Sequence, residues 1–119
     1  MISFSGNEIK YNRNTVITPY PILDARVKRG ILVVLMNPDA YPDKSKSAHN
    51  LVGYRPDGRQ AWAAELPECE HNASRVDCYV GLSTSTKWWL NPVIAESFSC
   101  YTCGINPKNG KIIWQGFHK

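Results

Sequence analysis

The residues best suited to chemistry in this 119-residue sequence are Cys69, Cys78, Cys100 and Cys103, with His71 close to the first. Thiolate and imidazole are the ligands of structural zinc. The run Cys100-Tyr101-Thr102-Cys103 has the spacing of a zinc knuckle or a redox pair. The other half of such a site is missing, because Cys69 and Cys78 stand nine residues apart and no second tight pair exists. On an extended strand, residues three apart point to opposite faces, so Cys100 and Cys103 would neither share a metal nor bridge. The expectation is small free thiols, buried or half-buried, with no metal and no cofactor. A zinc-stabilised domain is the alternative that this cluster keeps open.

The histidines, His49, His71 and His118, sit in no hydrolase motif. There is no Gly-x-Ser-x-Gly, no phosphate loop and no His-Glu-x-x-His. His49 with Asp39 or Asp43 is a conceivable acid–base pair in a long loop, but nothing in the sequence fixes its geometry. Asp39 and Asp43 offer too few oxygen ligands for a calcium loop. Aromatic and basic residues interleave at Tyr54-Arg55, Lys87-Trp88-Trp89 and Lys111 to Trp114. Stacking platforms for single-stranded nucleic acid combine these residue types. The plainer reading is that Trp62 and Trp114 are core. Trp88 and Trp89 would then pack at an edge, with one of them exposed if the segment is extended.

Composition narrows the classes. Hydrophobic residues make up 43% and charged residues 20%, which is globular and excludes a disordered tail or a fibrous repeat. The longest apolar run, Ile31 to Met36, is far shorter than the roughly 20 residues of a membrane helix. The first residues carry neither a basic nor an apolar signal region, so the expectation is a cytoplasmic protein with no membrane partner. A disulfide is disfavoured there. The net charge of +4 is spread over Arg26, Lys28, Arg29, Lys44, Lys46, Arg55 and Arg59, as on an ordinary solvated surface.

The elements that must position these residues are short strands. Eight glycines and eight prolines punctuate the chain at close intervals. Thr15 to Thr18 is β-rich, and Ile22 to Val27 alternates. Ile31 to Met36 has no polar alternation, the look of a strand buried on both faces. Asn37 to Asn50 is a long polar loop. Leu51 to Tyr54 and Gln60 to Leu66 form a hairpin over Pro56-Asp57-Gly58, with Trp62, Ala64 and Leu66 on one face. Cys78 to Leu82 follows, with Cys78, Val80 and Leu82 sharing a face. Val93 to Phe98 pairs with Cys100 to Ile105, and Asn109-Gly110 turns into Lys111 to Phe117, with Ile112 and Trp114 on one face. At most one short helix is expected, near residues 83–90.

A weak repeat is the most specific feature. Pro56-Asp57-Gly58-Arg59 precedes Trp62, and Pro107-Lys108-Asn109-Gly110-Lys111 precedes Trp114. In both, Trp stands four residues after Gly, and the glycines are 52 apart. This resembles the outer hairpin of quinoprotein-type β-propeller blades, where an Asp-x-x-Gly-Lys turn leads into a strand containing Trp. Residues 22–66 and 78–117 match, about two thirds of the chain. The resemblance implies blade-like four-stranded units. It implies no quinone, since the family's cofactor sits inside a closed ring and propellers need four to eight blades.

The expected molecule is a single all-β domain over residues 1–119, a small antiparallel two-sheet domain with propeller-blade-like hairpins. The expected function is that of a non-enzymatic protein-binding module, most concretely a bacterial immunity or antitoxin-type protein that occludes a partner enzyme. Lys87, Trp88 and Trp89, with Tyr41, Asp43, Lys44, Lys46 and His49 of the long loop, are the expected contact residues. Single-stranded nucleic acid is the alternative partner. Unpaired edge strands make a homodimer plausible.

Overall fold

The computed structural model describes residues 2–11, 13–68, 77–83 and 92–117, with the side chains of Lys44 and Ser45 left out. Among these residues the chain is all-β, with eleven strands in three antiparallel sheets. The N-terminal sheet holds β1 (Ile2–Ser5), β2 (Glu8–Tyr11) and β3 (Asn14–Ile17). The central sheet is a meander of β4 (Ile22–Lys28), β5 (Ile31–Met36), β6 (Leu51–Tyr54) and β7 (Gln60–Ala63). The C-terminal sheet is a second meander of β8 (Tyr79–Leu82), β9 (Val93–Ser97), β10 (Tyr101–Ile105) and β11 (Ile112–Phe117). Two 3-10 segments, Pro38–Ala40 and Lys44–His49, fill the long loop. No helix among the described residues is long and apolar enough to cross a membrane. The short helix expected near 83–90 falls almost wholly outside the described residues.

The two expected sheets are the central and C-terminal ones, and the N-terminal sheet is an addition to them. Its strands have four residues each, too few to show a period clearly. Gly6 makes the first turn at φ +60, and Ile9 pairs with Val16 on the face turned to the central sheet.

Strand β5 is buried on both faces, as its unbroken apolar run requires. Val33 and Leu35 face the C-terminal sheet, while Leu32, Val34 and Met36 face the N-terminal sheet. Two hydrophobic layers therefore share one strand, and each face of the central sheet is a core.

Tryptophan joins the central and C-terminal sheets. The Trp62 indole covers Gly53 across the β6–β7 pair, where a methyl group would fall 2.5 Å from its Cζ2. The same indole reaches the β10–β11 turn. A methyl on Gly110, whose φ is +75, would lie 2.7 Å from Cε3, and the indole N–H donates to the Pro107 carbonyl at 2.8 Å. A simpler version joins the first two sheets. Asn14 Nδ2 donates to the Pro56 carbonyl at 2.7 Å, and Val16 touches the position of Gly58. In both cases the last strand of one sheet docks on the final hairpin turn of the next.

The repeat extends to the bulges. Leu23 in β4 and Val80 in β8 are extra residues in first strands, and Ala61 in β7 and Ile113 in β11 are extra residues in last strands. Each bulge shifts the parity of its strand. This corrects two sequence-based faces. Tyr79, not Val80, enters the core, with Val80 39% exposed. Ile112 and Trp114 occupy opposite faces. Ile112 packs on the core, while Trp114 covers Gly104 on the outer face and is 43% exposed, so Trp114 is not core.

Asn50 is a buried polar clamp between the same two sheets. Its amide donates to the carbonyls of Met36 at 2.9 Å and Tyr79 at 2.7 Å, and accepts from Tyr79 N–H at 3.1 Å. Every polar atom of that side chain has a partner, which its complete burial demands.

Trp62→Ala is expected to lower stability by about 3–5 kcal/mol, because it opens a cavity and strands the Pro107 carbonyl. Trp114→Ala should cost about 1–1.5 kcal/mol, since much of that ring is already in water. Equilibrium denaturant unfolding of the two variants checks the ordering.

Candidate protein-binding cleft

The bulges of β4 and β8 also shape the surface. The two first strands lie close together, and their extra residues, Leu23 and Val80, project outward side by side into one cleft of about 520 Å³. Leu23 is 46% exposed, and Phe98, from the β9–β10 turn, is 58% exposed at the same cleft. Asn37, Pro38 and Asp39 wall it from the start of the long loop, Ser47 lines it from further along, and Cys78 lines it just before β8.

Local chemistry explains each wall. Asn37 caps the Pro38–Ala40 turn, its side chain accepting from Asp39 N–H at 3.0 Å, and Pro38 supplies the fixed φ of a first turn. Phe98 is held by a tight turn in which Cys100 adopts φ +70, a left-handed conformation costly for a residue with a Cβ. The buried carboxylate of Asp77 organises that turn. It accepts from Cys78 N–H at 2.9 Å and Ser99 N–H at 3.1 Å, and from the Ser99 hydroxyl. Asp77 is thus a positioning residue for the cleft's most exposed aromatic.

The loop residues expected at a contact surface fall into distinct places. Asp43, Lys46 and His49 are exposed. Lys44 opens the second 3-10 segment, with its side chain outside the described part. Tyr41 is a correction: it is 4% exposed, stacks on Tyr20 at 3.8 Å between centroids, and its hydroxyl donates to Met36 Sδ at 3.7 Å. A flanking Pro42 and a polar setting hid this core role in the sequence. Lys87, Trp88 and Trp89 lie outside the described residues, as do Cys69, His71 and His118.

Cys100 stands in the turn before β10, at φ +70, and so outside the strand alternation that the spacing argument assumed. Cys100 is exposed and Cys103 is fully buried, with its thiol pushed up by burial. Among the described residues no three His, Cys, Asp or Glu side chains gather as metal ligands would.

Sequence reasoning missed Leu23, Val80, Phe98 and Asp77. A partial signal exists: Ile22-Leu23 sets two apolar residues side by side before the alternation begins, as a bulge does.

A second cleft, of about 560 Å³, lies at the hairpin tips. Arg29, Arg55 and Lys108 meet there beside Ile31 and Ala61, so the structure gathers cations that are scattered in the sequence. Tyr54, next to Arg55, is 7% exposed and offers no stacking face.

These features define an all-β domain of stacked antiparallel sheets with an apolar cleft on one end and a cationic cleft between hairpin tips. The chain belongs to the family of domains of unknown function DUF7957, which matches residues 1–117. No curated protein matches the sequence.

Burial also sets an alkaline limit. Burial first, then the Tyr20 and Tyr54 phenols and the Cys78 thiol, push Tyr41 from an ordinary 10.0 up to about 12. Tyr54 and Tyr79 are raised mainly by burial as well. Unfolded tyrosine loses its proton first, so the folded state holds more protons above pH 10.0. Their contribution to stability is complete below pH 10.0 and is expected to be lost as the pH climbs toward 12. Spectrophotometric phenolate titration, native against denatured, should show the native transition displaced upward.

Proposed function

We propose that this protein is a non-enzymatic binding module that recognises another protein through the cleft at residues 23, 80 and 98 and the adjoining loop. The observation that supports this most is the grouping of three exposed apolar side chains, Leu23, Val80 and Phe98, around one opening. Clustered exposed apolar groups with a polar surround are typical of protein contact surfaces, and aromatic anchors dominate their energetics. Asn37, Asp39 and Ser47 supply that polar surround.

The mechanism is occlusion. The meander sheets hold the rim rigid, and the partner inserts an apolar side chain between Leu23 and Phe98 while the loop covers its neighbours. An immunity or antitoxin role, in which the covered surface belongs to a toxin enzyme, is the most concrete form of this reading.

A second reading has its own observation. Arg29, Arg55 and Lys108 converge without a carboxylate among the cleft-lining residues, a setting that suits an anionic partner such as single-stranded nucleic acid.

Phe98→Glu is expected to weaken a purified partner at least tenfold while leaving the melting temperature within a few degrees, since the ring is mostly in water. Affinity capture identifies the partner, and calorimetric titration of both forms tests the site. Equal affinity for the two forms rejects the cleft. Oligonucleotide binding that falls steeply with salt and is lost in Arg55→Glu would move the assignment to the cationic cleft.

A further inference from the structure

The cleft at the hairpin tips is built from turns of two different sheets. Arg29 stands in the β4–β5 turn and Arg55 opens the β6–β7 turn, both on the central sheet. Lys108 comes from the β10–β11 turn of the C-terminal sheet. Ile31 and Ala61, half-buried and packed on the core between those sheets, supply the apolar lining.

Each cation is carried on a pinned backbone. Arg55 N–H donates to the Arg59 carbonyl at 2.8 Å, and the Arg55 carbonyl accepts from Gly58 N–H at 2.9 Å. Lys108 N–H donates to Asn106 Oδ1 at 2.9 Å, and the Trp62 indole holds the Pro107 carbonyl just before it. The indole thereby sets Lys108 against the central sheet. Arg29 and Gly30 form the two-residue link of the β4–β5 hairpin, at φ +49 and +78. Two successive positive φ angles favour Asn, Asp or Gly at the first position. Arginine there is a backbone misfit, and its side chain lines the cleft. Local strain of this kind concentrates at ligand sites.

The same cations are kept from carboxylates. The ion pairs among the described residues are Arg26 with Asp24 and Arg59 with Asp57. Asp57, the acid of the β6–β7 turn, serves Arg59: it accepts the Arg59 N–H at 2.9 Å and stands 3.9 Å from its guanidinium. An ordinary charged surface intersperses both signs. Here three positive charges share one opening of about 560 Å³, and no negative side chain lines it among the described residues.

The lining narrows the ligand. A cleft of this size, apolar with a few placed polar groups, has the character of a small-molecule site. A nucleic-acid strand needs a track of cations and aromatic faces for its bases. No aromatic ring lines this cleft among the described residues, and neighbouring Tyr54 is buried. Three cations around one opening suit the oxygens of a phosphate monoester, which guanidinium groups grip bidentately. The apolar lining suits the carbon skeleton attached to it.

We propose that the hairpin-tip cleft binds a small organic phosphate monoester, its phosphate held by Arg29, Arg55 and Lys108 and its carbon skeleton against Ile31 and Ala61. The choice of ligand rests on the reading of this cleft as an anion site, and puts a small molecule in place of the nucleic-acid strand. The cleft at Phe98 is separate, since Arg29 lies about 20 Å along β4 and its turn from Leu23.

Backbone amide NMR of the isotope-labelled full chain, titrated with phenyl phosphate at about 0.15 M salt, tests this. Amides near Arg29, Arg55 and Lys108 should shift. Phenyl phosphate should bind at least about tenfold tighter than sulfate, which has the charge without the skeleton, and tighter than oligothymidylate. Arg55→Gln and Lys108→Gln should each weaken it at least about fivefold with the circular dichroism spectrum retained, since both side chains are exposed. Arg29→Asn should weaken it as much while the melting temperature holds or rises, because asparagine suits the turn. Lys46→Gln, at an exposed cation of the long loop, should change nothing. Sulfate that binds as tightly, or equal losses in Lys46→Gln, marks unspecific charge attraction and overturns the proposal. Oligothymidylate bound more tightly at these amides overturns it too but keeps the anion site, whereas no shift with any of the three overturns both.

Discussion

The contact between Trp62 and the β10–β11 turn is the constraint on which the rest of the molecule depends. Three conditions have to hold together. Gly53 must lack a side chain for the indole to lie flat on β6, Gly110 must hold a left-handed turn, and the Pro107 carbonyl must point at the indole nitrogen. When they do, the outer ends of two sheets are fixed relative to each other. Asn50 fixes the inner ends by joining Met36 to the backbone of Tyr79. A polar clamp at one end and an aromatic one at the other bracket a mostly apolar layer between, including Val33, Leu35, Val93 and Cys103.

This bracket also sets the surface. Because the first strands are held close, their bulged residues project together, and the apolar cleft is a by-product of how β4 and β8 meet. Asp77 completes it by stabilising the strained turn that presents Phe98. The cleft residues come from four separate stretches of chain, so the site exists only when the sheet-to-sheet geometry does.

Much of the fold was legible because it rests on local rules. Gly58 and Gly110 announced their turns, and Ile31 to Met36 announced a strand with two buried faces. The N-terminal sheet was not legible, since four-residue strands with at most one buried residue apiece lack a readable period. Bulges defeated the facing of Val80 and Trp114, because a single inserted residue is invisible to an alternation pattern that tolerates either parity. Trp62 and Trp114 have near-identical surroundings in sequence, yet one is core and the other surface. The difference lies in long-range packing, since the C-terminal sheet covers Trp62 and leaves Trp114 43% exposed, which no local pattern encodes. The candidate site was legible only as a region. The long loop does wall the cleft, but its most prominent aromatic, Tyr41, serves the core.

The segment that leaves β7 has a protective consequence. Exposed sheet edges template the pairing of strange strands, the first step toward fibrils. Here Glu65 and Glu68 tie a non-strand stretch to β11 through a carboxylate and a pair of amide bonds. The Glu65 bond occupies the Ile112 N–H, a backbone donor that an incoming strand would need, and the Gln115–Glu68 pair holds the stretch beside that strand. The connection between two sheets thus doubles as a guard against misassembly. Loosening it, by replacing Gln115 for instance, would leave the native packing in place while exposing an adhesive border.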